Sequence, residues 1–127
     1  MQIWLVLGGV NGAIAVTAAA IGAHALKTGV SAQQFDWFNM AARFHLVHAI
    51  VLLIVAALQL AGLRSALLDW SAGSLQGGIV LFCGTLYWLG LNGPGSLGPL
   101  HALTPLGGGL LLAGWTLLAV AGVRGLT

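Results

Sequence analysis

Charge is what this sequence has least of. Its 127 residues include four Lys or Arg and two Asp or Glu, 5% of the chain, against about 25% in an ordinary soluble domain. So few charged side chains cannot wrap the rest in a polar shell, which excludes a water-soluble globule. Cysteine is scarcer still. The single Cys83 rules out an intrachain disulfide and any CxxC pair, and neither HExxH nor a carboxylate-rich triad occurs. The same shortage leaves no basic run. The net charge of +2 and the isoelectric point near 9.3 therefore reflect scattered loop anchors, and nucleic acid is not an expected partner.

What is present is apolar. Hydrophobic residues make up 59% of the chain and the mean hydropathy is +1.02. The lipid bilayer is the solvent such a chain expects. Burial of apolar surface does not drive helix association there; close packing and interhelical hydrogen bonds do. The 20 glycines then serve close approach of helix backbones.

Four spans are predicted, at about 3–25, 43–63, 73–91 and 103–123. They give an all-α integral membrane four-helix bundle in a single domain, 1–127. The first span carries no charge and, at about 1.5 Å per residue, crosses a core of about 30 Å. It lacks the basic start and short apolar stretch of a signal peptide, so it is read as a retained helix. Gly8 and Gly12 form a small-xxx-small pair within it, and Gly107 and Gly108 are expected to pack helices in span four. Asn11 is expected to hydrogen-bond across helices. Ser31 followed by Gln34 makes a capping box, after which Phe35, Phe38, Ala41 and Ala42 recur at helical spacing. With Trp37 as an interface anchor, this predicts a short amphipathic surface helix over about 31–42. The segment Asn92 to Pro99 breaks any helix. Pro105 falls in the first turn of span four, where proline is tolerated.

An up-and-down course puts the ends of spans one and three and the starts of spans two and four at one membrane face. All four histidines, His24, His45, His48 and His101, are expected near it, with Lys27, Asp36, Arg43, Tyr87 and Thr104. Arg64, Asp69, Gln59 and Arg124 lie toward the other face. The positive-inside rule almost ties between Arg64 with Arg124 and Lys27 with Arg43. Loop 92–102 lacks Lys and Arg, which favours residues 1 and 127 on the cytoplasmic side of the cell's inner (plasma) membrane. Ionisable groups at membrane depth mark function by default. A pocket bounded by these groups suits a metal, a haem, a quinone head group or a lipid head group. The competing reading is structural. Interface histidines satisfy loop carbonyls, Arg43 snorkels to head groups, Tyr87 joins an aromatic belt and Cys83 is an inert small residue. For a metal or axial haem ligation, His24 and His48 are the best pair, though both are near helix ends.

Four stretches, in order, carry a family resemblance. Gly22-Ala23-His24-Ala25-Leu26-Lys27 resembles the GAHALK signature of the YgdD-like family, domain of unknown function 423, which is similar to transmembrane protein 256. Arg43 to Leu53, Phe82 to Tyr87, and Leu103 to Gly108 with Gly114-Trp115 resemble its further stretches. The resemblance implies a four-helix membrane protein and a constellation of His24, Lys27, Arg43, His48 and Tyr87. It departs at Phe44, His45 and Cys83, where tyrosine, glutamine and serine are usual, and His101 lies outside the pattern. It therefore argues against schemes that need His45, His101 or Cys83, and implies no particular activity.

The expectation is a non-enzymatic accessory, assembly or structural subunit of a membrane complex, or a homo-oligomer. The alternative is a binding or transport protein that holds an ion or small amphiphile, such as a quinone or lipid, on the His/Arg-lined face. No cofactor is predicted.

Overall fold

The computed structural model describes residues 1–127. Four helices form: α1 (Ile3–Leu26), α2 (Ala32–Leu60), α3 (Ala66–Asn92) and α4 (Gly98–Arg124), each long and apolar enough to cross a membrane. α1 ends in a π-helical turn over Gly22–Leu26, α3 carries another over Ile79–Cys83, and α4 opens with a 3-10 turn over Gly98–Ala102. α1 packs on α2 and α3 on α4, and the second half of α3 returns against α2. The core runs through Leu52, Val55, Leu68, Leu75 and Cys83 to Leu111.

The predicted surface helix over 31–42 is not a separate element. The Ser31–Gln34 capping box does start a helix, but nothing stops it: no glycine or proline occurs from Ala32 to Leu60. Its apolar face is used for packing instead. Phe38 is buried, edge-on to Tyr87 with ring centroids 5.0 Å apart, and beside the backbone of Gly22 and Gly90. Just past the ends of α2 and α3, Gly62 and Gly93 turn the backbone at positive φ (87° and 95°), which favours glycine.

Close approach decides which glycines matter. A Cβ on Gly107 would run into the backbone of Leu81 and Phe82, and one on Gly8 would strike the Leu53 side chain. Gly12 faces open space, and Gly108 has only ordinary contact with the Phe82 ring. The tight contacts that the sequence did not single out are Gly78 against Leu111, Gly114 against Leu75, and Gly90 against Phe38. Ser71 and Ser74 donate to the carbonyls of Gly114 and Leu110, both at 2.7 Å, and pin α3 to α4.

Four of the five tryptophans fall at two levels, as interface anchors do. Trp37 and Trp88 lie near one end of the bundle, and Trp4 and Trp70 at the other, with Trp4 held to Asp69. Gly8 packs at the level of Ala49 and Leu53, so Trp4 sits nearer the far end of α2. The two levels are then about nineteen residues of α2 apart, roughly 28 Å, which matches a hydrocarbon core of about 30 Å.

Candidate functional site

The mid-plane between those levels falls close to His45. Its Nε2 lies 2.8 Å from Asn11 Oδ1 and its Nδ1 lies 2.9 Å from the Tyr87 hydroxyl. The Asn11 amide nitrogen donates to the Leu7 carbonyl at 2.8 Å and to Gln76 Oε1 at 2.7 Å. The Leu7 carbonyl can only accept, so it fixes which end of the Asn11 amide is nitrogen. Asn11 Oδ1 must then accept from His45 Nε2–H. The remaining ring nitrogen of a neutral imidazole accepts, so the Tyr87 O–H donates to it. The protons run in one direction: from Tyr87 to His45, from His45 to Asn11, from Asn11 to Gln76. Three helices are tied by this chain, α3 at both ends, with α2 and α1 between.

His48, three residues on, turns to another partner. Its Nδ1–H donates to the Phe44 carbonyl at 2.6 Å, and its Nε2 accepts from the Trp115 indole at 3.0 Å. The two buried histidines therefore hold opposite tautomers. All four of their ring nitrogens are engaged, which leaves none to coordinate an ion, and no group of three metal-ligating side chains gathers anywhere in the bundle.

The polar chain lines a cleft of about 360 Å³ between α1 and α3, bounded also by Val10, Ile14 and Cys83. It adjoins an apolar groove of about 380 Å³ that shares Ile14 and Tyr87 with it and runs on to Ile21 and Leu91.

The sequence-predicted residues do not converge. Tyr87 joins the mid-plane chain. His48 is buried on the α4 side. His24 and Lys27 are exposed at the end of α1. Gly22 packs at the level of Phe38 and Asn39, so His24 and His48 stand about 18 Å apart along the helix axes and cannot share one ion. Arg43 is exposed on the outward side of α2. His101, which the sequence placed in a loop, lies in the 3-10 turn that opens α4 and donates to the Gly98 carbonyl. The centre of the chain is His45, the residue that the resemblance set aside. Asn11 does cross helices as its place within a span suggested. Gln76 carries the same signal, a lone amide inside an apolar run, and is the partner of Asn11 that the sequence expectations do not include.

Comparison with known proteins agrees with this architecture. Residues 18–108 match the family described as "Protein of unknown function (DUF423)". The chain belongs to the DUF423 family. It is 33% identical to a UPF0382 membrane protein of Staphylococcus epidermidis, with 98% of each chain covered. It is 36% identical to the UPF0382 membrane protein YwdK of Bacillus subtilis, again over 98% of each. No solved structure matches. This DUF423 chain is thus a multi-pass membrane protein, and its relatives are named as membrane proteins in bacteria.

Proposed function

We propose that this DUF423 protein is a non-enzymatic component of the inner (plasma) membrane, an accessory or assembly subunit of a larger complex or a homo-oligomer. One observation supports this above the others: the interior is closed on itself. Every buried side-chain nitrogen and oxygen has a partner within the chain. Both ring nitrogens of His45 and of His48 and the whole Asn11 amide are used in holding helices together. General acid–base or nucleophilic chemistry needs a base or nucleophile with a lone pair free to meet a substrate. The free lone pair of each buried histidine is spent on register instead, His45 Nδ1 accepting from Tyr87 and His48 Nε2 from Trp115. Polar groups at membrane depth that satisfy one another fix which helix faces meet.

Native mass spectrometry of protein extracted gently from its own membrane, with metal analysis of the same sample, tests the reading. A further chain, the same or different, should remain bound. A lone monomer that never retains another chain would overturn it.

The cleft favours a second reading, a site for a small amphiphile such as a quinone. Its volume falls in the range of ligand pockets, and one wall carries the polar chain while its apolar extension suits a tail. A small molecule retained at one per chain, and lost in Tyr87→Phe or His45→Ala, is its signature.

A further inference from the structure

A second groove lies on the opposite side of α1, between α1 and α2. Its volume is about 310 Å³ and its walls are largely methyl groups, with Ala15, Val16 and Ala19 from α1 and Leu46 from α2. Arg43 and Asn39 close one end. They are four residues apart on α2 and so lie one above the other on a single face. Gly22 makes room for Asn39, whose side chain lies against the glycine where a Cβ would stand.

Arg43 is the one charged side chain set well inside the membrane levels marked by the tryptophans. It lies six residues past Trp37, about 9 Å deeper along the helix. A guanidinium cannot shed its proton, so it carries full charge into a region where an unpaired charge costs several kcal/mol. Helical side chains lean back toward the start of their own helix, which carries the Arg43 guanidinium toward the Trp37 level and the head groups. It is exposed to the groove, and no acidic side chain of the chain lies in that lining. Asp36 is on the same face two turns further out and Lys27 directly follows α1 at that membrane face, both exposed. The three together leave one net positive charge over the mouth of an apolar groove.

We infer that this groove is a binding site for an anionic phospholipid. The phosphate is held by the Arg43 guanidinium with the Asn39 amide beside it, and one acyl chain lies along Ala15, Ala19 and Leu46 toward the mid-plane. The charge selects an anion, the methyl-lined channel selects a hydrocarbon chain, and only an amphiphile of that class satisfies both. The site stands apart from the α1–α3 cleft and does not depend on the role proposed above. Its occupant is a lipid molecule, not the acidic helix of a partner protein.

The test is native mass spectrometry of the full chain in detergent, titrated with dioleoyl phosphatidylglycerol, dioleoyl phosphatidylcholine, or glycerol phosphate without acyl chains. Retention of phosphatidylglycerol should exceed that of phosphatidylcholine by roughly tenfold, the scale of one charged hydrogen bond. Arg43→Gln should bring the two lipids level, while Arg43→Lys keeps part of the preference. Ala19→Phe leaves the charges in place but fills the groove, and should lower retention of both lipids. Asp36→Asn removes a competing anion and should strengthen the preference. Equal retention of both lipids by the unaltered chain would overturn the proposal. So would tight binding of glycerol phosphate alone, or an unchanged lipid preference in Arg43→Gln together with loss of a co-purifying protein. If Arg43→Gln fails to fold, the lysine, Ala19→Phe and Asp36→Asn variants still decide.

Discussion

At the scale of the residue, the mid-plane chain makes a claim that can be read proton by proton. His45 carries its proton on Nε2 because Asn11 presents an oxygen there, and His48 carries its proton on Nδ1 because the Phe44 carbonyl lies beside that nitrogen. Solid-state 15N spectra of histidine-labelled protein in bilayers should therefore show both tautomers among the buried rings. In a His24→Gln, His101→Gln background, which removes the two exposed rings, the Nε2-protonated signal should vanish in His45→Ala and the Nδ1-protonated one in His48→Ala. A single tautomer for both rings would mean that the chain runs otherwise. The energetics follow from who is left unpaired. Tyr87→Phe removes one donor from the end of the chain, and interhelical hydrogen bonds in membranes are typically worth about 0.5–1.5 kcal/mol. Asn11→Ala strands the His45 N–H and the Gln76 oxygen together, so its cost should rise to about 1–3 kcal/mol. The doubly substituted chain should lose less than the two costs added, since both variants break the same chain. Reversible unfolding in mixed micelles measures all three.

At the scale of the element, close approach separates glycines that look alike in sequence. Gly107 lies against the π-helical turn of α3, where the Leu81–Phe82 backbone leaves no room for a Cβ, while Gly109 meets nothing. Backbone cannot swing aside as a side chain can, so Gly107→Ala should destabilise the α3–α4 pair by about 1–3 kcal/mol. Gly109→Ala should be neutral or stabilise by about 0.5–1 kcal/mol, through helix propensity alone. Thermal unfolding of the two variants side by side checks the contrast; equal losses would place α4 in a different rotation against α3. The capping box made the helix start legible at Ser31, and the alternation of Phe35 and Phe38 with polar residues made its apolar face legible. What that face would meet was not written there. Amphipathic spacing is the same whether the apolar side rests on lipid or on the ends of α1 and α3, and only the tertiary contact of Phe38 with Tyr87 decides.

At the scale of the whole molecule, the number of spans was legible because length and apolarity are set by the bilayer itself. The site was not, because it depends on rotation about helix axes. His45 and His48 differ by about 60° around α2, enough to send one toward α1 and the other to Trp115 on α4. Chain order places both histidines at similar height and cannot separate them. The same ordering does make a firm statement about sidedness. The α2–α3 connection and the segment after α4 share one side, where Arg64 and Thr127 pair through their backbones. The connections after α1 and α3 share the other. Cys83 is buried in the core, so it should stay silent to a membrane-impermeant maleimide and leave the native chain as a clean background. In intact cells, Thr28→Cys and Ser96→Cys should label, and Ala61→Cys and Thr127→Cys should label only after lysis, if the segment without Lys or Arg faces outward. Complete inversion of the pattern would keep the four-span course and reverse its orientation. Labelling of Thr28→Cys and Ser96→Cys from opposite sides would break the course itself, because two antiparallel hairpins cannot put those connections on different faces.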